Sequence, residues 1–243
     1  MHRSALESRF GDKLAVIAQP GRKRLEIQIA VNSMSRLREL VKIADGRIEK
    51  LPRDWLERFQ RRDKPKLIGI KDRQLIIPAG AAFGTGEHAT TAMSLHMLER
   101  LAQTCSDGWS SIDLGTGSGI LALAARLFGA KPVIGIDNDP RAVSTAKQNA
   151  RLNKIDNVGF RAADVRSCQL PRNIDIITAN LFSELLVEIL PKLRRAAWLI
   201  LSGILREQER ELIHALKRQK INIVQVRRRG KWVTILARGL RRS

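Results

Sequence analysis

Only two cysteines, Cys105 and Cys168, occur among the 243 residues, and they form no CxxC pair. That excludes a disulfide framework and a cysteine-based zinc site, and leaves reduced thiols without a metal as the expectation. Long apolar runs are missing too. None approaches the roughly 18 residues a membrane span needs, so no membrane partner is expected. The N-terminal stretch MHRSALESRFG lacks the apolar segment of a secretory signal, which makes the cytoplasm the expected compartment. Tyrosine is absent altogether, and nothing in the sequence accounts for it. Acidic residues are scarce, 24 against 44 Lys and Arg, for a formal net charge of +20.

What is present fits a folded enzyme-sized chain. A hydrophobic content of 44% supports one complete α/β domain plus a small appendage and excludes a disordered chain. The positive charge is unevenly placed. Residues 1–73 carry 19 basic against 10 acidic side chains, residues 74–193 carry 11 against 11, and residues 194–243 carry 14 against 3. Basic flanks around a neutral centre suggest a surface that meets polyanions such as ribosomal RNA. A merely solvated face is the competing reading.

From Ser110 onward, short β-branched runs alternate with helical stretches, as in a parallel sheet built from crossover units. The expected strands are 111–114, 133–137, 158–162, 174–179, 198–202, 221–227 and 232–237. Helices are expected over 120–128, 141–152, 183–193 and 206–217, with Pro140 suited to a first helical turn. The last two strands flank the short basic turn Arg228–Lys231 and so read as an antiparallel hairpin. Five crossover strands and a terminal hairpin make the strand count of a class I methyltransferase. Upstream, 14–18 and 25–31 read as a strand pair and 35–43 as a helix. The expected domains are therefore a small α+β piece over 1–57, a basic linker containing Pro65 over 58–73, and the catalytic domain over 74–243.

Several features carry chemistry. The run Asp113-Leu-Gly115-Thr-Gly117-Ser-Gly119 leaves a strand and opens a helix, bringing backbone close to a ligand at a helix N-terminus. Its G-x-G-x-G spacing departs from the G-x-G-x-x-G of dinucleotide sites, since Ile120 stands where the last glycine belongs. Asp137 ends the next strand, 22 positions after Gly115, where a carboxylate can accept the ribose hydroxyls of an adenosyl group. Its alternative, capping the following helix, suits Asn138 or Asp139 better. Asp164 ends the third strand, at the adenine end of the same crevice or as a plain loop carboxylate. Asn180 ends the fourth, where an uncharged amide orients an amine or a cofactor carboxylate, or caps a helix. Ahead of the sheet, glycines flank Phe83 in a segment suited to folding over a ligand and excluding water; His88 either steadies that segment or shuttles protons.

The runs Ala82-Phe-Gly-Thr-Gly-Glu-His-Ala-Thr-Thr91, Asp113 to Ala122, Ile134 to Ala142, Ala179-Asn180-Leu and Leu199 to Leu205 resemble the ribosomal protein L-eleven methyltransferases, the PrmA family. The resemblance covers roughly 51–239. It implies a Rossmann-like class I methyltransferase sheet and S-adenosyl-L-methionine as cofactor. Thr91, Gly115, Gly117, Asp137 and Asn180 would contact it, with Phe83, Gly84 and Thr85 in a closing loop. It also implies methylation of lysine side chains or an N-terminal amine on a large-subunit ribosomal protein. Members usually carry a full ferredoxin-like recognition domain, of which about 50 residues supply half, and Pro78 stands where many have Asp. Two other classes of function stand beside this one. The first is an RNA methyltransferase, against which Asn180 is followed by Leu181-Phe182-Ser183 and not by an Asn-Pro-Pro-Tyr type motif. The second is a catalytically silent ribosome- or RNA-binding module.

Overall fold

A computed structural model of the chain describes residues 14–17, 26–29, 66–70, 73–78, 88–171 and 173–240. It divides into two compact units, Met1–Arg58 and Phe59–Ser243. In the first, β1 (Leu14–Ile17) and β2 (Glu26–Ile29) pair antiparallel. The helix expected over 35–43 lies outside the described residues.

The second unit opens with a feature that composition concealed. Residues 66–70, assigned to a basic linker, form β3 (Lys66–Ile70), which pairs antiparallel with β4 (Arg73–Ile77). Leu75 and Ile77 alternate into the core while Gln74 stays exposed. That period-2 pattern spans too few residues to stand out among so many charges. Asn153 anchors the hairpin: its Oδ1 accepts from the Ile76 N–H at 2.7 Å, and its Nδ2 donates to the Ile76 carbonyl at 2.7 Å.

Five parallel strands follow: β5 (Ser111–Leu114), β6 (Val133–Asp137), β7 (Val158–Ala162), β8 (Ile176–Asn180) and the start of β9 (Trp198–Leu205). The helices are α1 (Ala89–Ala102), α2 (Ile120–Leu127), α3 (Pro140–Leu152), α4 (Ser183–Leu193) and α5 (Glu209–Arg218). A 3-10 turn (Arg206–Gln208) precedes α5, where one continuous helix was expected. β10 (Asn222–Arg229) and β11 (Trp232–Arg238) close the sheet as an antiparallel hairpin, in the order β10-β11-β9-β8-β5-β6-β7.

Apolar side chains on alternate strand positions separate the core into two layers. Ile176 and Ile200 face α1, α2 and α3, packing with Met97, Leu123 and Phe160. Their neighbours Ile177, Leu199 and Leu201 face the opposite way, onto Leu186 and Leu190 of α4 and Leu212 and Leu216 of α5. The result is an α/β/α sandwich with the class I methyltransferase strand arrangement.

Two strand ends differ from the sequence reading for identifiable reasons. β8 starts at Ile176, after Asp175, whose carboxylate accepts from the Ser110 N–H at 2.8 Å and its hydroxyl at 2.7 Å. β9 extends to Leu205 because β11 supplies partners as far as the Leu205–Trp232 pair. At Gly203 the backbone is left-handed (φ +86), and a Cβ there would strike the Leu181 carbonyl, so only glycine lets β9 continue past this irregularity.

Candidate cofactor and acceptor site

β5 delivers the glycine turn to the carboxyl edge of the sheet, at the point where neighbours diverge to β6 on one side and β8 on the other. Open α/β sheets bind ligands at such a crevice. The Gly115 and Thr116 N–H groups donate to the Ile136 carbonyl at 2.8 and 3.0 Å, which pins the turn to β6. Gly115 has φ +71, and a Cβ there would collide with the Leu181 side chain. The left-handed backbone calls for glycine here, and a larger residue would also have to displace the Leu181 side chain.

Beneath the turn lies a residue whose importance the sequence reading missed. Asp113 is fully buried; its Oδ1 accepts from the Thr178 hydroxyl at 2.7 Å and its Oδ2 from the Thr116 hydroxyl at 2.8 Å. Burial pushes its pKa up to about 6, opposed by these hydroxyls and by the Ala122 N–H. The folded value lies above the unfolded one of 3.8, so the fold favours the protonated acid. Its contribution is fully present below the unfolded pKa and is lost as pH rises through the folded one. We expect the unfolding free energy of the wild type, relative to Asp113→Asn, to fall between pH 4 and 6 and to level off above. Urea titrations across pH check this, and a constant difference would refute it. The available signal was a carboxylate at a strand position flanked by buried Ile112 and Leu114.

Asp137 ends β6 half-buried. Its Oδ2 accepts from the Gly117 N–H at 2.9 Å and its Oδ1 from the Asp139 N–H at 3.0 Å. Each oxygen keeps a further acceptor position. The helix-capping alternative belongs to Asp139, whose Oδ1 accepts from the Arg141 N–H at 2.8 Å at the start of α3. Asp164 is exposed beyond β7, and its Oδ1 accepts from the Arg166 N–H at 2.8 Å, the geometry of a loop carboxylate.

Asn180 ends β8, with Phe182 and not Asn180 capping α4. Its Nδ2 donates to Thr90 Oγ1 at 3.2 Å, joining β8 to the first turn of α1 across 90 positions of sequence. Thr90 also meets His88 Nδ1 at 2.7 Å. The Ser202 hydroxyl donates to the Thr90 carbonyl at 3.3 Å and shares a 2.6 Å hydrogen bond with Thr234 Oγ1. His88 packs edge-on against Trp232, ring centroids 4.8 Å apart. Burial, then the charge of Lys231, lowers its pKa and favours the neutral imidazole. Sequence reasoning named Asn180 and His88 but not Thr90, Ser202, Thr234 or Trp232 as one constellation. Polar residues at buried strand positions were its only trace.

Thr91, next in α1, is buried, and its hydroxyl has no hydrogen-bond partner among the described residues. Phe83, Gly84 and Thr85 lie outside the described residues. The structure thus brings Thr91, Gly115, Gly117, Asp137 and Asn180 to one sheet edge, and leaves Asp164 on its exposed margin.

Residues 61–239 match the family model described as ribosomal protein L11 methyltransferase (PrmA). A protein of that name from Aquifex aeolicus is 33% identical over 215 residues, covering 82% of this chain and 82% of its own. Another, from Heliobacterium modesticaldum, is 33% identical over 205 residues, covering 76% of this chain; the chain spans 64% of that relative's length. The crystal structure of a ribosomal protein L11 methylase from Lactobacillus delbrueckii subsp. bulgaricus superimposes with a TM-score of 0.62 at 30% identity. That superposition covers 71% of this chain and 90% of the other. With the glycine turn, Asp137 and Asn180 at the edge of such a sheet, these matches show that the chain belongs to the ribosomal protein L11 methyltransferase (PrmA) family.

Proposed function

We propose that the chain transfers methyl groups from S-adenosylmethionine to amines, a lysine side chain or an N-terminal amine, of a large-subunit ribosomal protein. The observation that carries this is the meeting of Asn180 with the α1 turn beside the glycine turn, at the edge where β5 parts β6 from β8. The residues present fit the cofactor: the glycine turn brings bare backbone beside the Asp137 carboxylate, and Thr91 holds a buried hydroxyl without a partner among the described residues. Gly115, Gly117, Asp137, Thr91 and Asn180 would hold it, with Phe83, Gly84 and Thr85 in the segment before α1 and Asp164 at the margin. When bound, S-adenosylmethionine supplies an electrophilic methyl on a sulfonium.

The chain's own residues prepare the acceptor. Thr90 Oγ1 takes one Nδ2 hydrogen of Asn180, which fixes the amide and leaves its Oδ1 able to accept from an incoming amine N–H. An uncharged amide orients the amine while stabilising its ammonium form far less than a carboxylate would. Lys231, whose charge already lowers the pKa of His88, has the same effect on a lysine arriving nearby and favours the neutral nucleophile. His88 steadies Thr90 through Nδ1, and no side chain is assigned as a general base.

The domain reading belongs to this proposal: a recognition piece over 1–57, a basic stretch over 58–73 that also supplies β3, and the methyltransferase domain over 74–243. So do a cytoplasmic location and contact of the basic flanks with ribosomal RNA; no helix among the described residues is long and apolar enough to cross a membrane. The test is incubation with methyl-labelled S-adenosylmethionine and large ribosomal subunits or their extracted proteins. We expect label in protein and none in RNA. Label confined to RNA would overturn the acceptor assignment.

A further inference from the structure

The last hairpin carries more charge than a capping strand pair requires, and the sheet topology aims that charge at the site. β11 runs antiparallel to β9, and β10 antiparallel to β11, so the C-terminal end of β10 reaches the same edge as Asn180. Arg227, Arg228 and Arg229 occupy that end, and Lys231 follows in the turn. Alternation along β10 divides the arginines between the two faces. Arg228 pairs with Val233 and turns toward α5, where Glu209 takes its guanidinium through two hydrogen bonds. Arg227 and Arg229 pair with Thr234 and Trp232, on the face that carries α1, Thr90 and His88. There Arg227, Arg229, Ala92 and Met93 line an open cleft of about 300 Å³, whose wall the β10 strand completes at Arg228. Among the described residues no acidic side chain lines it, and the first turn of α1 has none.

We propose that this cleft is a docking surface for the phosphate backbone of RNA, beside the acceptor site. This rests on the RNA contact proposed for the basic flanks, not on methyl transfer. Arg227 and Arg229 stand two residues apart on one strand face, about 7 Å, and each presents a planar fork suited to a phosphate. Within 194–243, 14 basic side chains face 3 acidic ones, and those three are Glu207, Glu209 and Glu211 beside the start of α5. The surrounding field therefore favours a polyanion. Among the described residues that line the cleft there is no aromatic platform on which bases stack, so it reads backbone and not sequence. An acidic peptide would need apolar anchors to hold it, and Ala92 and Met93 are the apolar lining present.

The test is fluorescence anisotropy of a labelled mixed-sequence single-stranded RNA with the full chain, titrated from 50 to 250 mM KCl, with polyglutamate as the competing probe. We expect log affinity to fall linearly with log salt. Arg227→Gln/Arg229→Gln should reduce the slope by about 1.4, the loss of two phosphate contacts at about 0.7 each. Arg228→Gln, whose guanidinium Glu209 already occupies, should alter the slope far less. Thermal unfolding verifies that the variants fold, and calorimetry with S-adenosylhomocysteine should give the same affinity in each. Failure to bind S-adenosylhomocysteine would count against the methyltransferase reading alone. An unchanged slope in the double variant, or polyglutamate binding as tightly as RNA, would overturn the docking surface.

Discussion

Asp137→Ala is expected to weaken S-adenosylmethionine binding by about 2–4 kcal/mol, a loss of roughly 30- to 1,000-fold. The carboxylate has two tasks at once. It receives the Gly117 and Asp139 N–H groups, which shape the turn and the start of α3, and its remaining acceptor positions would take the ribose hydroxyls. Removing it takes both charge-assisted hydrogen bonds from the ligand and two acceptors from the backbone, so some loss of thermal stability accompanies the loss of affinity. Asp137→Asn separates the tasks, because one oxygen remains to accept while the charge and the second acceptor go; its affinity should fall between the other two. Calorimetry with S-adenosylhomocysteine on folded protein is the measurement. A folded Asp137→Ala variant binding as tightly as wild type would remove Asp137 from the ligand.

Asn180→Ala is expected to lower methyl transfer by about 100-fold, the usual scale for deleting one fixed dipole at a reacting centre. Cofactor affinity should fall by less than that, since Asn180 is only one of several groups that would hold it. The second substitution, Asn180→Asp, is more telling. It keeps the shape and an acceptor oxygen, but puts a negative charge where the acceptor amine must arrive neutral. An adjacent carboxylate stabilises the ammonium form and raises the pKa of the amine. The pH–rate profile of the variant should therefore move in the alkaline direction, with activity recovering in part at high pH. Loss of activity through misplaced packing alone would lower the profile without moving it. Single-turnover rates across pH distinguish the two, and a profile with unchanged midpoint would sink the orienting role.

The glycine turn, Asp137 and Asn180 were legible because each sits at the end of a β-branched run, and the end of a parallel strand is where such sheets hold ligands. The terminal hairpin was legible for a similar reason: a short basic turn between two strands leaves no room for a crossover. Contacts bridging distant sequence were not legible. The Asn180–Thr90 bond spans 90 positions, and Ser202 reaches Thr90 across 112. Nothing local to Ser202 distinguishes it from any other polar residue in a strand. Asp113 was quoted within its motif yet passed over, because spacing does not reveal that its surroundings exclude water. β3 was hidden in the opposite way, by flanking charges that disguised an ordinary hairpin.

The position of β11 bears on how the protein is made. It lies between β9 and β10, so the sheet is not laid down in the order of synthesis: β9 emerges first, β10 second, and the strand that must lie between them comes last. Until that strand arrives, β9 has an open side, and Ile204 and Leu201 have lost the cover of Val233 and Ile235. A nascent chain halted after Arg229 would thus present an unpaired apolar edge, the kind that recruits other chains.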